Sequence, residues 1–382
     1  MSFVEDFKQQ YSQKNHGLSF LANIDLPYPK TESWKYTNLT NKLENYKYFE
    51  VKTTNFDSKT LSKDFKNIVL INGDIAYTDI DIEDTNNLSF QTDMDKDFLY
   101  QLANTSNKNI TLRLKNLDSP ILIHHKFNSE KNIISYQINI IIEKSNDVEL
   151  LEVLDNECDL FANTSTNIYV EENSHVTLTQ YKPQKDTAII GNSTIAKVEK
   201  NSTFKHIAVF DGAQITRSNI DIELLQEGAS TELYGLYQLK NKSHHDSYTI
   251  IKHSAPHTYS TQLYKGVMDD ESRGIFTGTI KVDRDSQKIE STQLNKNLLL
   301  TPKAKANSRP QLEIFADDVK CAHGSTTAQL DEEQLFYFTT RCIDPDQARE
   351  LLSSAFINEI LFKISNPIVK NYITDRRDNY GF

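Results

Sequence analysis

The sequence predicts a mainly β chain, wound as a parallel β-helix with helical segments at both ends, and three observations carry that reading. A gapless repeat runs through the middle: Glu143–Leu150, Glu171–Leu178, Glu199–His206 and Gln226–Leu233 align at spacings of 28, 28 and 27 residues. Each octet is a polar turn leading into an alternating strand, and a fixed period of this length marks a solenoid whose units stack on one another. From about Ile68 the chain is dominated by runs such as NIVLING, NITLRLKN, ILIHHKF and YQINIIIEK. These are rich in β-branched and aromatic residues and bounded by Asn, Asp, Ser and Gly, which are strand signals. Two-residue hairpin turns are nearly missing, Asn72-Gly73 and Asp211-Gly212 being the exceptions. An antiparallel sandwich with regularly spaced hairpins is the alternative architecture.

Three regions follow in order. Residues 1–64 are polar and aromatic, with Phe3, Phe7, Tyr11, Trp34, Tyr36, Tyr46, Tyr48 and Phe49 partly at helical spacing. They read as short helices around the loop 26–30, where Pro27 and Pro29 disfavour regular structure. Residues 65–325 are the β-helix core. With two strands per unit, roughly nine units at about 4.8 Å per layer give a rod of about 43 Å. Residues 326–382 are a C-terminal helical region. Asp331 opens one helix, with Gln334 three residues on in a capping-box arrangement. Asp344 caps a second, with Pro345 at the first helical position, where no N–H is needed. Its residues Ala348, Leu351, Leu352, Ala355, Phe356, Ile360 and Leu361 form one apolar stripe. Asn366-Pro367 ends that helix, and residues 371–382 read as a polar tail.

Composition excludes several classes of function. A net charge of −11 over 382 residues argues against a nucleic-acid binder, which shows a basic face. No apolar run approaches the roughly 18 residues of a membrane span. The start, MSFVEDFKQQYSQ, lacks the basic and apolar segments of a signal peptide. Three cysteines, Cys158, Cys321 and Cys342, are too few and too scattered for a disulfide framework. The expectation is a cytoplasmic protein with reduced thiols.

The chemistry concentrates in residues 310–338, PQLEIFADDVKCAHGSTTAQLDEEQLFYF. On a strand, side chains alternate faces, so Cys321 and His323 point the same way and Ala322 the other. A thiolate and an imidazole are soft ligands suited to iron, zinc or copper(I). They make half a coordination shell, since a cluster or tetrahedral metal takes four ligands. The rest must come from elsewhere in this chain or from a second one. The His244, His245, Asp246, His253 and His257 group is denser, but Pro256 and the neighbouring Ser and Thr make a zinc-binding helix there a poor fit. A polar turn and hydrogen-bonded core histidines are the better reading. Asp317-Asp318 and Asp269-Asp270-Glu271 read as solvated turns. No phosphate loop, dinucleotide fingerprint or nucleophile elbow occurs anywhere.

The same 310–338 segment, followed by Arg341-Cys342-Ile343 and a helix, closely resembles the C-terminal signature of the SufD family. PYPKTESWKYTNL (residues 27–39) resembles the segment these proteins carry ahead of their core. Residues 244–282 share the family's His, Gln and Gly-x-Phe-x-Gly-x-Ile pattern, here Gly274-Ile-Phe276-Thr-Gly278-Thr-Ile280. SufB chains share the core pattern but are longer and lack both the Trp-Lys-Tyr segment and the Lys-Cys-x-His-Gly form. The resemblance implies a right-handed β-helix and a non-catalytic scaffold subunit for iron–sulfur cluster assembly. It implies pairing with SufB through the β-helix edge, by strand addition, and docking of the SufC ATPase on the C-terminal helices. A homodimer is open to the isolated chain. No cofactor is expected in the isolated chain, an iron–sulfur cluster passing transiently through the interface of the complex. His323 is implied to lie near the nascent cluster, with Cys321 a weaker candidate. A β-helical enzyme acting on a carbohydrate or acyl group is the alternative, and turnover by the isolated chain is what favours it.

Overall fold

The third residue of every octet turns the chain. Ser145, Asn173, Asn201 and Gly228 have φ of +62°, +56°, +55° and +77°, a left-handed conformation that Gly adopts freely and Asn more readily than most residues. Each corner N–H donates to a carbonyl one layer on: Ser145 to Glu172 (3.0 Å), Asn173 to Lys200 (2.9 Å), Asn201 to Glu227 (3.2 Å) and Gly228 to His257 (3.2 Å). The column continues through His257 and Lys288, at φ +55° and +59°. The sequence repeat is therefore a repeat of corners, and the strands between them stack.

The computed structural model describes residues 31–43, 61–82, 90–104, 108–115, 118–156, 158–184 and 187–380, with Pro27, Tyr46, Phe56, Asp57, Lys59 and Ser106 besides. The expected helices of residues 1–64 fall largely outside these. What is described there is a 3-10 turn, Glu32–Trp34, and one helical turn, Thr40–Leu43.

Two sheets form the body, one of ten strands and one of eight. Strands alternate between them, giving seven full turns of consecutive strand pairs from Ile121 to Ile314. Pairing is parallel, with Asp147 opposite His175 and Leu150 opposite Leu178, which rules out the antiparallel sandwich. The one antiparallel pair, Lys66–Ile71 with Asp74–Thr78, closes the far end of the larger sheet. It turns at Asn72-Gly73, at φ +50° and +87°, the hairpin signal of the sequence. Before the regular turns begin, the chain also builds the helix Phe98–Asn104 and the strand Asn109–Leu114.

The space between the sheets is filled by Ile123, Leu150, Leu178, Ile190, Phe204, Ile220 and their layer-mates. Both outer faces are also apolar, because both are covered. On the eight-stranded sheet Trp34, Leu39, Leu43, Phe98, Leu99 and Leu102 pack onto Ile133, Phe161, Ile189 and Ile215. Arg217 locks this cover. Its guanidinium lies between the rings of Trp34 (4.6 Å) and Tyr248 (4.9 Å) and pairs with Asp246 at 2.7 Å. Trp34 Nε1 donates to Asp97 at 3.1 Å, and the Thr37 hydroxyl donates to Asp246. The Trp-Lys-Tyr-Thr and His-His-Asp segments, far apart in sequence, thus meet on one face.

The C-terminal helices cover the ten-stranded sheet. Asp331 and Asp344 cap the helices Glu332–Thr340 and Pro345–Leu361, accepting from Glu333 N and Asp346 N at 2.9 Å each. A third helix, Pro367–Tyr380, replaces the expected polar tail. The preceding helix ends at Leu361, with Phe362 as its C-cap, rather than at Asn366-Pro367. Asn366 instead caps the last helix, accepting from Ile368 N at 2.9 Å. The seam onto the sheet is Ile357, Ile360, Ile364, Val369 and Ile373 against Leu151, Val153, Ile207, Val209 and Leu236. The predicted stripe is shifted: Ala348 and Ile360 are buried, whereas Leu351 and Ala355 face out.

Candidate functional site

The solenoid's last strand, Val319–Gln329, pairs on one side only. Ser291 stands opposite Cys321 and Gln293 opposite His323, and the far edge carries no strand among the described residues. Lys320 lies on the outer face, where it pairs with Glu290 at 3.0 Å. Gly324 lies there too, since a Cβ on it would sit 3.0 Å from Leu294 Cδ2. Cys321 and His323 therefore share the inner face, as the period of two predicts. Cys321 packs against Ile280, Val282, Ile289 and Ala316 and is half-buried. His323 also belongs to the inner face but is exposed, because no further turn covers it. The pair stands at the open end of the β-helix.

Burial pushes the Cys321 thiol above its ordinary pKa, so it stays protonated near neutral pH and is a poor nucleophile until a cation displaces its proton. The other two cysteines are elsewhere. Cys158 follows a strand six layers away, about 29 Å at the usual strand spacing, and its Sγ contacts the Phe127 carbonyl at 3.6 Å. Cys342 is exposed beyond the helix Glu332–Thr340. Among the described residues no three His, Cys, Asp or Glu side chains converge as a metal site. Cys321 and His323 are an incomplete donor set at a free edge.

The histidine-rich segment does not join them. His245 stacks on Tyr237 at 4.9 Å and contacts Ser247 at 2.7 Å. His253 bridges Thr258 (2.7 Å) and Ser260 (3.0 Å). His244 contacts Thr37 at 2.9 Å, and His257 is a corner. Sequence reasoning missed the floor beneath the open end. Ser291, Gln293, Asn295 and Asn297 all point inward and are at most 3% exposed. Tyr237 donates to Asn297 (2.6 Å), Asn297 to Asn295 (2.7 Å) and Asn295 to the Tyr264 carbonyl (3.3 Å). The signal was the alternation Ser-Thr-Gln-Leu-Asn-Lys-Asn, in which the polar set faces inside.

A second polar cluster lies deeper. Glu152 is fully buried, 2.9 Å from His125 Nε2, and accepts from Gln180 at 2.6 Å and Thr166 at 2.8 Å. Burial works to raise its pKa, but His125, Gln180 and Lys182 together hold it at about 2. Burial draws the Lys182 ammonium down to about 7 against the pull of Glu152. No helix of the described residues is long and apolar enough to cross a membrane.

Comparison with known proteins places this geometry. Residues 125–356 match the family model described as SUF system FeS cluster assembly, SufBD core domain. The chain is similar to the iron–sulfur cluster assembly protein SufD of Escherichia coli, 25% identical with 98% of this chain and 94% of that protein aligned. It is 35% identical to an iron–sulfur cluster assembly SufBD family protein of Synechocystis over 53% of this chain and 45% of the relative. The chloroplastic protein ABCI7 of Arabidopsis thaliana is 29% identical over 62% of this chain and 50% of the relative. The chain thus spans about half the length of the last two and nearly all of the first. With more than half of its residues inside the family's core domain, and a β-helix to match, the chain belongs to the SufBD family of iron–sulfur cluster assembly proteins.

Proposed function

We propose that this chain is a non-catalytic, cytoplasmic scaffold subunit that completes its donor set across an interface. The observation that carries the reading is the free edge of Val319–Gln329, with Cys321 and His323 on its inner face and no converging set of further ligands among the described residues. A homologous SufB-type partner that presents an equivalent strand edge would extend the sheet by main-chain hydrogen bonds. Its thiolates would then join His323, and secondarily Cys321, around the nascent cluster, which is cargo rather than a resident cofactor. Neutral imidazole is a competent iron ligand. Phe336, Tyr337, Leu351 and Phe362 are 70%, 56%, 51% and 68% exposed around the C-terminal helices. They offer the apolar surface for a SufC-type ATPase, whose phosphate loop this chain lacks.

The test is His323→Ala in the assembled complex. Complex yield should match wild type while cluster content in cells falls at least several-fold, with Cys321→Ala doing less. If yield and melting temperature fall together, or if cluster content holds with the complex intact, His323 is a structural residue and the reading fails.

A further inference from the structure

A ladder of amides runs up the inner face of the solenoid to His323. Gln262 Nε2 donates to Thr249 Oγ1 at 2.7 Å, and Gln293 Nε2 donates to Gln262 Oε1 at 2.8 Å. Gln262 and Gln293 are direct neighbours in register, and the next residue in the column is His323. Each of these amide NH2 groups thus donates away from the open end. Gln293 is fully buried, yet its Oε1 has no partner among the described residues. A buried acceptor left unpaired is costly, and native proteins rarely keep one without a use. The seat of this amide is cut to fit. On the facing sheet a Cβ at Gly278 would lie 2.4 Å from Gln293 Nε2, so only glycine leaves the side chain its room.

We infer that Gln293 is a positioning residue for His323, its Oε1 accepting the ring N–H of the imidazole. His323 is exposed and not held by any other described group, and neighbouring strands stand about 4.8 Å apart, so rotation of its side chain closes the contact. The carboxamide oxygen can only accept. It therefore fixes one tautomer and leaves the lone pair of the other ring nitrogen directed out of the open end. Histidines that bind metals nearly always donate their second N–H to a carboxylate, a backbone carbonyl or water, and a carboxamide oxygen is an acceptor chemically close to the backbone carbonyl. The inference rests on the reading of His323 as the functional imidazole, but its test is separate.

The full chain, with 15N-labelled histidine, is measured by two-bond 1H–15N correlation above the imidazole titration range, with His323 assigned by loss of its signals in His323→Gln. A single His323 tautomer is expected in wild type. Gln293→Met should convert it to the mixture of a solvent-exposed ring, and Gln293→Glu, which keeps an acceptor, should restore one form. If Gln293→Met does not fold, Gly278→Ala, which crowds the amide out of its seat, should give the same mixture. A mixed tautomer in wild type, or a spectrum unmoved by the folded variants, overturns the inference. A fixed tautomer together with undiminished cluster content in His323→Ala would defeat the functional reading and leave this one standing.

Discussion

Glu152 faces both the Lys182 ammonium and His125 inside the solenoid. Lys182 itself lies 4.6 Å over the Phe210 ring and donates to Asn192 at 2.6 Å. Truncating one partner of a buried ion cluster strands the others, at a cost of about 3–5 kcal/mol. Glu152→Ala should lose that much in urea unfolding, whereas Glu172→Ala, which removes an exposed pair with Lys144, should lose far less, because solvent screens a surface pair. Equal losses would contradict the assignment. The buried histidines set a pH dependence. Burial holds His253 down to about 4, below its ordinary 6.5. Between those values the unfolded chain binds more protons than the folded one. The contribution of neutral His253 is therefore present in full above pH 6.5 and lost as pH falls toward 4. Burial raises Asp221 to about 6 and works in the opposite direction, so the comparison is with a single variant. His253→Gln should flatten the fall in urea midpoint between pH 6.5 and 4, and an unchanged slope would contradict this. The shared face of Cys321 and His323 was legible, since period two requires nothing but a strand. The inward set Ser291, Gln293, Asn295 and Asn297 was not, because alternation tells that two faces differ and not which one is inside.

At the scale of elements, the C-terminal helices are both a cover and a surface. Ile360 and Val369 are fully buried against the sheet, and Arg377 donates to Asp211 at 2.9 Å. Ile360→Ala should cost about 2–5 kcal/mol, seen as faster amide exchange across Pro345–Leu361. Leu351→Ala, half-exposed, should be neutral to within about 0.5 kcal/mol. Removing residues 331–382 would bare Leu151, Val153, Ile207, Val209 and Leu236. Its expected product is an aggregate, and a soluble monomer would show that the helices are not a cover. The proposed docking of an ATPase is for this reason better probed by substituting Phe336 or Tyr337. The capping residues Asp331 and Asp344 were readable because a cap is a local interaction. The last helix was not, since Lys370–Tyr380 is mostly polar. Two of its charges meet carboxylates of the sheet: Arg376 pairs with the part-buried Asp155 at 2.7 Å and Arg377 with the buried Asp211.

At the scale of the molecule, the two ends of the solenoid differ. At one end the larger sheet finishes in an antiparallel hairpin, Lys66–Ile71 with Asp74–Thr78, whereas at the other both sheets finish in parallel strands, Lys305–Ile314 and Val319–Gln329, each paired on one side only among the described residues. Isolated proteins guard such edges with charges and prolines. Val319–Gln329 carries neither beyond Lys320, which is already paired with Glu290. The corner repeat made the stack readable, because Ser145, Asn173, Asn201 and Gly228 recur at one position of each octet. The N-terminal cover was not readable, because it depends on Trp34 meeting Arg217 across the fold. The most direct test of the open edge is hydrogen–deuterium exchange of the amides 319–329, with and without a purified SufB-type partner. Strand addition predicts strong protection of alternating amides along Val319–Gln329 when the partner binds, with the corner at Lys288 unchanged. A complex that forms while those amides exchange as fast as in the free chain would contradict it.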